Sequence, residues 1–189
     1  MAATEPIRDK KQLKQLAEYY SKRGQLRNYV LIVMGAYTAL RISDLLRLTW
    51  NDVYNFTQAS FRTHIALTEN KTGKQKTVAL NNKALYALNL YFPHRTDDFI
   101  FSNHRKKLAA ISRVQAYRII RTAAEALGIV GHISCHSLRK TFGYHAWNSG
   151  VPVVVLMDIY NHSSYEITRR YLGISQDDMD KVYLGAKLL

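Results

Sequence analysis

Between residues 61 and 80 the apolar side chains stop recurring every three or four positions and start to alternate. Phe61, Thr63, Ile65 and Leu67 stand at every second place, and β-branched residues return from Lys76 to Leu80. Successive side chains of a strand point to opposite faces, so this spacing predicts two strands, each with one buried face. Between them Asn70-Lys71-Thr72-Gly73-Lys74 supplies a permissive glycine and polar residues, the makings of a hairpin turn with lysines at its tip. Almost everything else has helical periodicity. The fold class that follows is mainly α with a small antiparallel β-sheet (α+β).

The helices have local signals. Leu13, Leu16, Ala17 and Tyr20 define an apolar stripe over 9–23, which Gly24 closes. Further helices are predicted over 25–38 and 41–48, the latter burying Leu45, Leu46 and Leu48 with Asp44 pointing elsewhere. Asn81 or Asn82 caps a helix to about residue 92, where Pro93 stops it. Ser112-Arg113-Val114-Gln115 is a capping box opening a helix that ends at Gly128. Residues 137–149 close at Gly150, Pro152 opens a helix to residue 160, and Ser163 with Glu166 forms a second capping box. Met179, Val182 and Tyr183 share one face of a terminal helix over 177–189.

A chain of 189 residues fits one domain and buries about 70% of its unfolded surface. The 27 Lys and Arg against 14 Asp and Glu leave a formal charge of +13, which predicts a polyanionic partner. An anionic membrane surface would call for an amphipathic basic helix that the sequence does not contain, so double-stranded DNA or another nucleic acid is the expected partner. A single cysteine, Cys135, and the lack of an early apolar leader predict a reducing, cytoplasmic setting. The apolar run at 29–40 is too short to span a bilayer.

Three segments carry chemistry: Leu40-Arg41-Ile42-Ser43-Asp44, His136-Ser137-Leu138-Arg139, and Asn161-His162 with Tyr171 nine residues after the histidine. A phenol that attacks a phosphodiester needs cations on the phosphate oxygens and groups that move protons nearby. These segments supply two arginines, two histidines and the phenol. His132-x-x-Cys135-His136 superficially resembles a zinc or thiol site, but no second ligand pair accompanies it, and a buried inert thiol is the simpler reading.

The ordered set of arginine, hairpin lysine, His-x-x-Arg, histidine and tyrosine resembles the catalytic domain of the tyrosine recombinase (phage integrase) family over about residues 7–175. The resemblance implies that Arg41 and Arg139 clamp the nonbridging phosphate oxygens. It also implies that His136 bonds the scissile phosphate or takes the tyrosine proton, and that His162 donates to another phosphate oxygen. Lys71, with Lys74 as its nearest rival, would protonate the leaving 5′ oxygen. Tyr171 would be the nucleophile, forming a 3′-phosphotyrosyl link, and neither cofactor nor metal would be required. Asp44 would be the carboxylate bracing an arginine or histidine, one methylene shorter than the family's usual glutamate. Asparagine replaces the usual glycine before His162, and it tolerates a left-handed backbone better than other side chains do.

The resemblance also implies site-specific recombination as a tetramer on DNA, and it leaves room for accessory DNA-bending proteins as further partners. The C-terminal segment, 176–189, would be exchanged between protomers. The 189 residues are expected to form a single catalytic domain without the N-terminal core-binding domain that most members use as a clamp, as either a compact member or a fragment. Lys74, Lys76, Arg105, Lys106, Lys107, Arg113, Arg118 and Arg121 are candidates for backbone contacts with DNA, and each is equally readable as part of a solvated cationic face. A type IB topoisomerase-like enzyme and a non-cutting DNA-binding regulator remain alternative readings.

Overall fold

The computed structural model describes residues 4–106, 108–174 and 176–186. Helix α1 (Lys10–Ser21) starts at Asp9, whose carboxylate accepts the Lys11 amide at 2.7 Å. Helix α2 (Leu26–Tyr37) is buried continuously from Val30 to Ala36 and forms the centre of the molecule. A single helical turn, α3 (Ile42–Leu45), and a second, α4 (Trp50–Val53), lead into a small ribbon of β1 (Tyr54–Asn55) and β2 (Ser60–Phe61). The predicted hairpin follows as β3 (His64–Thr68) and β4 (Gln75–Ala79), antiparallel, with Ile65 opposite Val78. Helices α5 (Asn82–Tyr91), α6 (Arg113–Ala126), α7 (Cys135–Asn148), α8 (Val153–Tyr160), α9 (Tyr165–Leu172) and α10 (Gln176–Gly185) complete the chain.

The α+β expectation holds, with two two-stranded sheets in place of one. Other differences are local. The helix expected over 41–48 ends after one turn. There Arg47 and Leu48 bond back three residues, and Thr49 with Asp52 forms a new capping box for α4. Helix α7 begins before residue 137 because Ser134 is its cap, accepting the His136 amide. Ser164, not Ser163, caps α9 through the Ile167 amide. Pro93 lies inside a 3-10 turn (Phe92–His94) that follows α5. No helix among the described residues is long and apolar enough to cross a membrane.

Three buried clusters surround α2 and α7. One joins α2 to α3, α4, the hairpin and α5, with Leu31, Leu45, Trp50, Ile65 and Leu88 in it. A second joins α1, α6 and α7 through Leu16, Ile120 and Leu138, and a third seats Leu156, Tyr160 and Leu172 beside Ala39. Residues 4–8 form a strap across α7. Ile7 is buried and bonds Thr141 through its amide at 2.8 Å, while Arg8 donates to the Gly173 carbonyl at 2.6 Å and pairs with Asp178 at 3.3 Å.

Helix α7 lies close to α8 and α9 because residue 143 is glycine. A Cβ there would sit 2.7 Å from Leu172 Cδ2 and would also collide with the Tyr160 hydroxyl. Gly143→Ala is therefore expected to cost ~1–3 kcal/mol of folding stability by overpacking, measured as a lowered midpoint in thermal or urea unfolding.

Candidate active site

The site is assembled on the C-terminus of α8. A helix end leaves its last carbonyls unpaired and carries partial negative charge, so it attracts cations. Here three arrive from three different parts of the chain. The Tyr160 carbonyl accepts from Arg41 Nη2 at 3.3 Å and from Arg139 Nη2 at 3.2 Å, and the Ile159 carbonyl accepts from Lys76 Nζ. Arg139 Nη1 donates to the Ala39 carbonyl as well, and its guanidinium lies 4.7 Å from the Tyr160 ring centroid. Ala39 has φ +52, a left-handed conformation costly for a residue with a Cβ, in the turn just ahead of Arg41.

Asn161 ends α8 in the left-handed region at φ +54, the conformation expected of an asparagine there. Its side chain donates to Glu69 Oε2 at 2.8 Å, and the following amide, of His162, bonds back to the Met157 carbonyl. That turn places the His162 ring 5.1 Å from the Tyr171 ring, while the His136 ring, from the first turn of α7, stands 5.2 Å from Tyr171 on another side. The Tyr171 hydroxyl is closed to solvent and within the influence of the Arg139 guanidinium. Arg139 lies 5.9 Å and Lys140 Nζ 5.5 Å from its ring centroid. Arg41, His136, Arg139, His162 and Tyr171, from four separate segments, thus converge on one place.

Two assignments change. Asp44 is buried, not turned away, but it braces neither Arg41 nor a histidine. Its Oδ1 accepts the Asn70 amide at 2.9 Å and faces Arg47 at 3.4 Å, so it anchors the start of the hairpin turn. The carboxylate that holds Arg41 is Glu69, with 2.7 Å between Oε2 and Nη1 and a side chain closed to solvent. Thr72 and Asn161 also donate to that oxygen. Sequence reading missed Glu69, although it carried a signal: it is the only acidic residue between Asp52 and Asp97, two positions before Lys71.

The hairpin lysines also divide. Lys71 and Lys74 are exposed on the turn, and Lys71 is near enough to His136 to bear on its protonation without touching it. Lys76, expected with Lys74 to contact DNA, does not share that exposure. Its position on β4 turns it inward, to the Ile159 carbonyl and to Glu69 Oε1 at 3.8 Å, and its side chain is 10% exposed. Arg105, Lys106, Arg113 and Arg118 are exposed, Arg121 pairs with Glu125 at 2.6 Å, and Lys107 lies outside the described residues.

Electrostatics follow from this packing. Burial, then the Arg139 and Arg41 charges, hold His162 down to about 4, and His136 is lowered by the same kinds of cause. Both imidazoles are neutral at pH 7. Burial alone would raise Glu69, but bonds from Arg41, Thr72 and Asn161 outweigh it and bring it to about 2. Burial and Arg139 lower Lys76 to about 8, against the pull of Glu69. The Tyr171 phenol is raised by burial, which Arg139 partly offsets. Cys135 is pushed up to about 11 by burial, which makes it a poor nucleophile. No cluster of three His, Cys, Asp or Glu able to hold a metal occurs among the described residues.

A mainly helical domain that gathers two arginines, two neutral histidines and a buried phenol defines a phosphodiester-directed class of protein. The profile of the phage integrase family matches residues 8–177, and the chain belongs to that family. It is 36% identical over 184 residues to a probable integrase/recombinase, YoeC of Bacillus subtilis, covering 97% of each chain. It is 28% identical over 170 residues to tyrosine recombinase XerD of Mycobacterium tuberculosis, covering 85% of this chain and 52% of that relative. Among solved structures, XerA recombinase superposes with a TM-score of 0.78 at 22% identity, over 99% of this chain and 67% of the other. XerH bound to its palindromic difH substrate gives 0.75 at 18% identity, over 93% and 51%. These two likenesses show the fold. The chain spans about half the length of the XerD relative and nearly the whole of YoeC. Site-specific recombination by a tyrosine recombinase is the activity that family membership supports.

The lowered His162 makes a pH prediction. With the folded value near 4 and the unfolded value near 6.5, the unfolded chain binds more protons between those limits. Stability is therefore complete above about pH 6.5 and falls as pH drops toward 4. Thermal unfolding across that window is expected to show a falling midpoint, and His162→Asn should flatten the slope.

Proposed function

We propose that this chain breaks and rejoins DNA through Tyr171, in site-specific strand exchange between duplexes. The observation that carries this reading is the buried Tyr171 hydroxyl set beside two neutral imidazoles and the Arg139 guanidinium. In the proposed step the Tyr171 oxygen bonds to phosphorus as the bond to the 5′ oxygen breaks. The phenolic proton passes to a histidine, and the 5′ oxygen takes a proton from Lys71. The 3′-phosphotyrosyl link keeps the phosphodiester's bond energy, so rejoining to a 5′ hydroxyl reverses the same steps.

The histidines fit as proton acceptors because they are neutral. Thr168 lies 3.0 Å from His162 Nδ1 and 3.3 Å from the Ser164 carbonyl. If the threonine proton goes to that carbonyl, His162 donates from Nδ1 and keeps a lone pair on Nε2 for the phenol. The buried charges fit the substrate as well. Arg41, Arg139 and Lys76 meet at the α8 end while Glu69 pairs with Arg41 and Asp44 with Arg47, so the site keeps an excess of positive charge for a phosphodiester. Arg41, 18% exposed at its side chain, is the more accessible arginine for the first contact.

Self-association on DNA belongs to the same proposal. Val182, Tyr183 and Leu184 are 69%, 80% and 87% exposed, an apolar surface around the last turn of α10, the helix that follows the tyrosine helix. One structural neighbour is described as a lambda integrase dimer bound to a core site. A second copy covering this face suits the exchange expected of the C-terminal segment.

Nicked suicide duplexes, selected from a randomised library for retention by the protein, test the chemistry. Wild type is expected to form a denaturant-resistant protein–DNA adduct, and Tyr171→Phe none. Arg41→Lys should slow adduct formation by about a hundred- to a thousandfold, as expected for removing an oriented donor to developing charge. Supercoil relaxation without exchange between two sites would favour the topoisomerase reading. A Val182→Asp, Tyr183→Ser double variant is expected to sediment as smaller complexes on DNA while still forming the adduct.

A further inference from the structure

Glu69 meets parts of the site that the reaction must keep in register. Its Oε2 touches Arg41 Nη1 at 2.7 Å and accepts from Asn161 Nδ2 and Thr72 Oγ1, each at 2.8 Å. Its Oε1 lies 3.8 Å from Lys76 Nζ. Its backbone closes the hairpin turn, the amide donating to the Lys74 carbonyl and the carbonyl accepting the Gly73 amide, each at 2.9 Å. One residue therefore joins a candidate phosphate-binding arginine, the turn that sets His162 and the loop that carries Lys71.

We propose that Glu69 is the positioning residue of this site, holding Arg41 at a set offset from the Lys71 loop so that one phosphate receives both. The inference rests on the cleavage reading above. A carboxylate so placed has two possible relations to a phosphate: it orients the arginine, or it occupies the arginine until phosphate displaces it. Burial decides for the first. The Glu69 side chain is 0% exposed, and its partners come from both the hairpin and the α8 turn, so displacement would require those elements to separate. Arg41 keeps an open edge, and a guanidinium has five N–H donors, enough to serve Glu69, the Tyr160 carbonyl and a phosphate oxygen together.

The test is a double-mutant cycle on the selected nicked duplex. Glu69→Gln keeps the shape and loses the charge. Single-turnover adduct formation is expected to slow about a hundredfold, the scale of a small misplacement, while duplex affinity stays within about threefold because the lost term acts in the transition state. In an Arg41→Ala background the same change should have no further effect, whereas in a Lys140→Ala background its full factor should remain. A purely structural role would lower the rate equally in both backgrounds and would overturn the proposal. So would a Glu69→Gln protein that cuts as fast as wild type or faster. If Glu69→Gln does not fold, Asn161→Gly removes one support of Glu69 while keeping the left-handed turn, and the same cycle decides. Should wild type form no adduct, the cleavage reading fails, and inorganic phosphate titrated against the Arg41 guanidinium signal in NMR still tests Glu69. Weaker binding in Glu69→Gln supports positioning, and tighter binding overturns it.

Discussion

Everything in the site depends on the end of one short helix. The carbonyls of Ile159 and Tyr160 face inward, where water cannot satisfy them, and Lys76, Arg41 and Arg139 do so instead. Like charges brought this close repel, so the arrangement stands only because the helix end and two buried carboxylates offset them. Asp44 and Glu69 are those carboxylates, and each also bonds the hairpin. The hairpin, α3, α7 and α8 are thereby held by one electrostatic knot as well as by apolar packing. The cations cannot be moved singly. Removing one leaves a buried carbonyl or carboxylate without its partner, an expensive loss in a low-dielectric interior.

Much of this was legible in the sequence, for reasons that particular residues make clear. Alternation at Phe61–Leu67 announced the hairpin because a strand's two faces differ there in burial. The capping box at Ser112 and Gln115 was read correctly because both of its bonds are local. Asn161 announced the left-handed turn by its own tolerance for it. Local signals failed where a neighbouring residue offered the same chemistry: Ser164 for Ser163, and Ser134 for a start at Ser137. They also failed where the partner is distant. Nothing near Asp44 shows that its acceptor oxygen meets the Asn70 amide, and nothing near Lys76 shows that it turns inward to α8. Glu69 was the largest loss, since its partners at 41 and 161 lie far along the chain in both directions.

The phenol and the arginines show a division of labour by burial. Arg139 is almost closed to solvent, at 2% exposure, and two carbonyls plus the Tyr160 ring hold it still. Arg41 is more open and is held by a carboxylate. A rigid donor suits a charge that develops in a known place, and a more accessible one suits the first encounter with a strand. Tyr171 stands near Arg139 on a helix of only eight residues, tied at its start by Ser164 and at its end by Gly173 in a left-handed cap.

The strap at residues 4–8 gives chain order a meaning in time. Arg8 bonds the carbonyl of Gly173, and Ile7 bonds Thr141 on α7, so segments far apart along the chain meet. A ribosome releases the arginine turn and the hairpin before α9, so a partly made chain holds Arg41 and Glu69 without Tyr171. The bond from Arg8 to the cap of α9 can form only after both segments have been made. The long-range contact that ties this strap to the tyrosine helix therefore follows the local contacts that shape each of them.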